Sequence, residues 1–148
     1  MKKTLIAAAL ALSATAASAW DLTVNANRDI TADRNGAGLA LGHTVKGVNL
    51  AVGVDRFDYK RGNVDLYSLT SSYEVIKVMG VGISPQIGIA YNDSELGRNG
   101  WALQPGLALS VPVTKKVALV TEVRRQIGED KIKYLNGNAV SVGLRTSF

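Results

Sequence analysis

The chain has 148 residues, a formal charge of +5, no cysteine, one histidine and fifteen glycines, with 47% hydrophobic but only 6% aromatic residues. This is one domain's length. Zero Cys excludes disulfides, thiolate metal sites, thiol nucleophiles and cysteine lipidation, and a single His removes most zinc sites and catalytic triads.

The first nineteen residues read as a secretory signal peptide. Lys2 and Lys3 are its basic start, Thr4 to Thr15 form an apolar stretch rich in Leu and Ala, and Ala17-Ser18-Ala19 is an A-x-A cleavage site. The apolar stretch is too short to span a bilayer as a helix. Cleavage after Ala19 leaves Trp20 to Phe148, 129 residues with 15 basic and 12 acidic side chains. A net charge near +3 gives no basis for nucleic-acid binding.

From Trp20 the apolar residues recur with period two, the strand signature. The first strand sets Trp20, Leu22, Val24 and Ala26 against Asp21, Thr23, Asn25 and Asn27, and a polar loop is expected from Arg28 to Asn35. The second strand sets Ala37, Leu39, Leu41, His43 and Val45 against Gly38, Ala40, Gly42 and Thr44. Lys46-Gly47 is a tight turn. The third strand sets Val48, Leu50, Val52 and Val54 against Asn49, Ala51, Gly53 and Asp55, before a charged loop from Arg56 to Asn63. The fourth sets Tyr67, Leu69, Ser71, Tyr73 and Val75 against Ser68, Thr70, Ser72 and Glu74, and an indistinct turn falls at Ile76 to Met79.

Val81, Ile83, Pro85, Ile87, Ile89 and Tyr91 make the fifth strand, followed by a loop from Asn92 to Gly100. Trp101 to Val113 form the sixth, and Thr114-Lys115-Lys116 turns the chain. The seventh, from Val117, carries Glu122 and Arg124 opposite Val123 and Arg125. After a loop from Gly128 to Gly137, the eighth places Val140, Val142, Leu144, Thr146 and Phe148 opposite Ser141, Gly143, Arg145 and Ser147. Pro85 and Pro105 each remove a ladder donor inside a strand, yet the alternation keeps its phase. Weaker pairing without a bulge is expected there.

Eight strands joined alternately by longer loops and short turns predict an all-β fold, an antiparallel up-and-down barrel with no free edge. The face opposite the apolar one is mostly Gly, Ala, Ser, Thr, Asn and Gln. That is a poor water-facing surface but a good filling for a narrow lumen. The apolar face is then lipid-facing, and the prediction is a transmembrane β-barrel. Five of the nine aromatic residues, Trp20, Tyr73, Tyr91, Trp101 and Phe148, fall at strand ends on that face, as interfacial aromatic girdles require.

The pattern of Trp20 to Phe148 resembles the small eight-stranded outer-membrane β-barrels of Gram-negative bacteria, the opacity and OmpX type, and is similar to the barrel domain of OmpA. The terminal run Val140, Val142, Leu144, Phe148 is similar to the family's C-terminal assembly signal, apart from Thr146. The resemblance implies the cell outer membrane, the barrel assembly machinery as a partner, and periplasmic short turns with extracellular loops.

Five charged residues on the lumen phase, Asp55, Glu74, Glu122, Arg124 and Arg145, must pair, since an unpaired buried charge costs several kcal/mol. Glu122 and Arg145 are expected to meet across the last two strands as part of a lumen plug. Arg56, Lys60, Arg61, Arg125, Lys131 and Lys133 lie in or beside the outer loops, with Asp58, Asp93, Glu95, Glu129 and Asp130 mixed among them, and two readings stand: contacts to lipopolysaccharide phosphates, or ordinary solvated loop charge. No catalytic residue, metal or cofactor is expected. The expected role is that of a monomeric structural or surface-interaction protein in contact with outer-membrane lipids and lipopolysaccharide. Three alternatives stand beside it. A lipid A modifying enzyme needs a base beside a Ser at the extracellular rim, whereas His43 lies next to a periplasmic turn. A narrow channel needs an open lumen, and a soluble periplasmic barrel needs a charged exterior.

Overall fold

The computed structural model describes residues 20–59, 62–95 and 97–148. The segment read as a signal peptide, and Lys60 and Arg61 among the loop cations, lie outside the described residues.

The strands are β1 (Trp20–Asp29), β2 (Arg34–Val45), β3 (Val48–Tyr59), β4 (Gly62–Tyr73), the three-residue β5 (Ile76–Val78), β6 (Val81–Ser94), β7 (Gly100–Pro112), β8 (Val117–Gly128) and β9 (Gly137–Ser147). All pair antiparallel with their neighbours. β1 joins β9, and β4 joins β6, so the sheet closes on itself. Because β4 and β5 occupy one place in the wall, this is an eight-stranded up-and-down barrel. Hydrogen bonds exchanged between Trp20 and Phe148 fasten the seam at the end where both termini lie.

Partners followed round the wall from Trp20 run through His43, Leu50, Ser71, Ile87 and Pro105; the β7–β8 register carries the line across an unpaired step to Arg125, then to Asn138 and Ile30. The circuit returns ten residues further along β1. This stagger tilts the strands and leaves a bore narrow enough for side chains to fill.

Outward-pointing Leu22, Val24, Leu39, Leu50, Leu69, Ile87, Ile89, Leu103, Leu107, Val123, Val142 and Leu144 are all exposed. Along β7 the outward apolar run from Trp101 to Val111 covers ten steps of about 3.4 Å, roughly 26 Å of height at a tilt near 40°. That matches the hydrocarbon band of a transmembrane barrel, about 25 Å.

Two expected loops are taken up by strand, half of Arg28 to Asn35 and every described residue of Arg56 to Asn63. β1 runs to Asp29 and β2 starts at Arg34, while β3 and β4 extend to Tyr59 and from Gly62. Polar residues keep the ladder there because neighbouring strands satisfy their outward charges. The Arg56 fork, for example, donates to both Asp65 oxygens across the pair at 2.6 and 2.8 Å. The expected loop from Gly128 to Gly137 carries a 3-10 segment, Asp130–Leu135, kinked at Ile132.

The indistinct turn at Ile76 to Met79 is also corrected. Ile76 to Val78 pair with Val81 to Ile83, and the turn proper is Met79-Gly80. Between Ser72↔Gln86 and Ile76↔Ile83 the first strand has one residue more than its partner, a bulge at Tyr73 to Val75. It faces Pro85. Val75 N–H donates to the Ile83 carbonyl, so by the two-residue period Pro85 also points its backbone at this side. The bulge therefore sits opposite the missing donor, in the partner strand, while the strand that carries Pro85 keeps its phase unbulged, as expected. At Pro105 the expectation of weaker pairing holds: β7 and β8 are matched at Leu103↔Ile127 and again at Gly106↔Arg124, with no partners between. Side chains bridge the gap, Gln104 Nε2 donating to Gln126 Oε1 at 3.2 Å.

Candidate functional site

The lumen is filled in layers. Nearest the termini, Arg145 lies 3.7 Å from Asp21 and donates from Nε to Thr23 Oγ1 at 3.4 Å. Asn49 Nδ2 donates to Asp21 Oδ2 at 2.8 Å. Midway, Arg124 Nη2 reaches across the bore from β8 to Asp55 Oδ2 on β3 at 2.6 Å, and Asn27 Nδ2 donates to Asp55 Oδ1 at 2.7 Å. Both members of this ion pair are buried, Asp55 at 4% exposure and Arg124 at 8%. Gly38 makes the space: a Cβ there would lie 1.8 Å from Asp55 Oδ1.

Above this pair, Gln126 Nε2 donates to Asn92 Oδ1 at 3.0 Å, and Asn92 Nδ2 donates to the Gly100 carbonyl at 3.4 Å. The loop end of the bore is apolar, with Phe57, Val64, Leu66 and Ala102 turned inward and buried. The 3-10 segment folds over them. Its Ile132 and Leu135 are 0% and 4% exposed and pack with Val64 and Ala102. Glu129 anchors its start, accepting from Trp101 N–H at 2.9 Å and donating its own N–H to the Trp101 carbonyl at 3.1 Å. Asn136 holds its end by accepting from Gly128 N–H.

Of the five expected lumen charges, the structure brings Arg124 and Asp55 together. Arg145 is placed against Asp21, which strand phase put in the lumen but charge-pair reasoning passed over. Glu122 and Arg145 do not meet: β8 and β9 register Glu122 with Ser141, and Arg145 with Ala118. Glu122 instead lines a cavity of about 50 Å3 with Asp21, Asn25, Asp55, Arg124 and Arg145. That holds a few waters and nothing larger. Glu74 stands apart, exposed near Gly82 at the terminal end. No sequence signal marked the apolar lid, because Ile132 and Leu135 are three apart in a stretch too short for a helix period to show.

On the outer face, Tyr67, Tyr91 and Trp101 occupy one register row across β4, β6 and β7, with Tyr91 and Trp101 rings edge-on at 5.2 Å. Tyr67 joins the two residues expected there. At the terminal end Trp20 packs its ring 4.5 Å from His43, and Tyr73 and Phe148 are exposed at the same end of the wall. His43 is therefore a neighbour of Trp20 on the outside of the wall. Arg125 points outward, and Lys131 and Lys133 lie exposed on the lid, where Lys133 pairs with Asp130 at 2.5 Å. Val142, Leu144 and Phe148 are exposed on the outer face in phase with Val140. Among the described residues no group of three His, Cys, Asp or Glu is placed to hold a metal, and no helix is long and apolar enough to cross a membrane. A β-barrel crosses with strands.

No protein-family model matches the sequence, and no curated protein matches it significantly. Among solved structures, the chain is similar to Neisserial surface protein A, at 17% identity and a TM-score of 0.60, over 88% of this chain and 95% of that one. It is similar to the outer-membrane protein Ail of Yersinia pestis in a bilayer nanodisc, at 10% identity and a TM-score of 0.60, over 88% and 99% of the two chains. A de novo designed transmembrane β-barrel also matches, at 12% identity and a TM-score of 0.60, over 90% and 98%. The fold is that of the small eight-stranded transmembrane barrels.

Proposed function

We propose that this chain is an outer-membrane β-barrel with a structural or surface-interaction role, anchored by its wall and presenting its loop end to the outside. The inverted distribution of side chains carries the reading. Apolar residues cover the outer wall, while the interior holds Asp, Arg, Asn and Gln in hydrogen-bonded layers. A soluble barrel needs the reverse. Its likeness in fold to Neisserial surface protein A and to Ail supports the same membrane.

In this reading residues 1–19 direct export, both termini face the periplasm, and the barrel acts as a monomer without cofactor. The outward alternation Val140, Val142, Leu144, Phe148 is the segment offered to the barrel assembly machinery. Trp20, Tyr73 and Phe148 sit at one membrane interface and Tyr91 and Trp101 at the other. Arg125 snorkels from the wall toward lipopolysaccharide phosphate, with Lys131 and Lys133 above it on the lid and Lys60 and Arg61 assigned the same role from sequence. The packed bore argues against a channel. The place of His43, beside Trp20 at the terminal end, argues against lipid A chemistry in the outer leaflet.

Membrane fractionation followed by electrophoresis with and without boiling tests the proposal. Recovery with the outer membrane, and a mobility change on boiling, are expected of a closed detergent-resistant barrel. Recovery in the soluble periplasmic fraction overturns it.

A further inference from the structure

Two turns at the terminal end share one backbone. Lys46-Gly47 has φ of 50° and 85°, Met79-Gly80 has 51° and 86°, and each is closed by a pair of valines, Val45↔Val48 and Val78↔Val81. The hairpin geometry is that of a two-residue turn with both φ positive, for which Asn or Asp before Gly is the favoured choice. Lysine at the first tip is what a solvated turn carries. At the second tip stands Met79, 99% exposed.

Met79 is not isolated. Val75, Ile76 and Val78 beside it are exposed, and so are Val111 and Val113 at the end of β7. Register joins these into one patch, since Ile76 pairs with Ile83, and Ile83 pairs with Leu109 of the outer apolar band. The patch thus continues the lipid-facing wall without a polar break. Lys77, Lys115 and Lys116 stand at its margin, in the β5 strand and in the next turn. An apolar tip bordered by ammonium groups is complementary to a phospholipid leaflet, with acyl chains receiving the tip and phosphates meeting the lysines.

We propose that the Met79 hairpin is a lipid-inserted anchor, so that the barrel sits with the β5 to β7 side of its terminal end immersed in the periplasmic leaflet while the Lys46 turn stays in water. This rests on the outer-membrane reading and adds an asymmetry which that reading does not contain.

The absence of native cysteine makes the test direct. Single variants Met79→Cys, Val78→Cys, Lys46→Cys and Leu107→Cys are spin-labelled in the full barrel. They are then reconstituted in phosphatidylethanolamine and phosphatidylglycerol vesicles, and collision rates with oxygen and with a water-soluble nickel chelate are compared. Oxygen should dominate several-fold at positions 79, 78 and 107, and the nickel chelate at 46. Nickel-dominated values at 79 or 78, with 107 lipid-like, overturn the anchor and leave the barrel reading intact, whether water or another protein covers the tip. A lipid-like value at 46 overturns the asymmetry. An aqueous value at 107 overturns the membrane reading itself, and the anchor with it.

Discussion

Asp55 and Arg124 are sixty-nine residues apart in sequence and join opposite walls of the bore through a 2.6 Å contact. Charges withdrawn from water to this degree are tolerated because each oxygen of Asp55 has its own donor, one from Arg124 and one from Asn27. Arg124→Met leaves the carboxylate buried beside a single amide, and a loss of about 3–5 kcal/mol is expected, read by urea unfolding in micelles. Asp55→Asn combined with Arg124→Met removes both charges. It should lose clearly less than the sum of the single variants, since the main cost is the orphaned charge. Gly38→Ala intrudes on the same carboxylate. A loss of roughly 1–3 kcal/mol is expected from overpacking, again by urea unfolding, and it should shrink when Asp55 is already Ala.

Strand phase located the lumen charges, but partner choice did not follow from it. The sequence alternation states which side of the wall a residue faces. It does not state the register between neighbouring strands, and the register that sets Glu122 opposite Ser141 leaves Arg145 four residues away, beside Asp21. The wall itself was more legible, because apolar residues at every second position are a direct trace of one face in lipid. Loop boundaries were misplaced for the opposite reason. Arg56 and Asp65 look like loop residues by polarity, yet they pair across β3 and β4 as members of the ladder. At the level of these elements, the prolines and the lid are the parts open to test. Pro105→Val returns an N–H to the β7–β8 gap, and slower hydrogen exchange at the amide of Arg125, which faces that gap, is expected, with little change in fold. Ile132→Asp places a carboxylate in the apolar mouth among Val64, Ala102 and Leu135. The lid should then open while the strands persist, seen as new tryptic cleavage after Lys131 and Lys133 with the heat-dependent mobility retained.

Across the whole barrel the bore is closed at two heights by different chemistry, apolar packing of Ile132 and Leu135 at the loop end and the Arg124 to Asp55 bridge midway. A hydrated ion must pass both. The cavity of about 50 Å3 lies between the Arg124 to Asp55 bridge and the Asp21 to Arg145 layer, on the terminal side of both closures. In planar bilayers the native barrel is therefore expected to show no steady conductance, and Ile132→Asp alone is expected to add none, since the ion pair still spans the bore. Arg124→Ala with Ile132→Asp removes a closure at each level and also leaves Asp55 and Glu122 as uncompensated carboxylates. The double variant should conduct, with cations favoured over anions, as reversal potentials across a salt gradient would report. Steady conductance from the native barrel would show that these layers part readily and would favour the channel reading over the structural one.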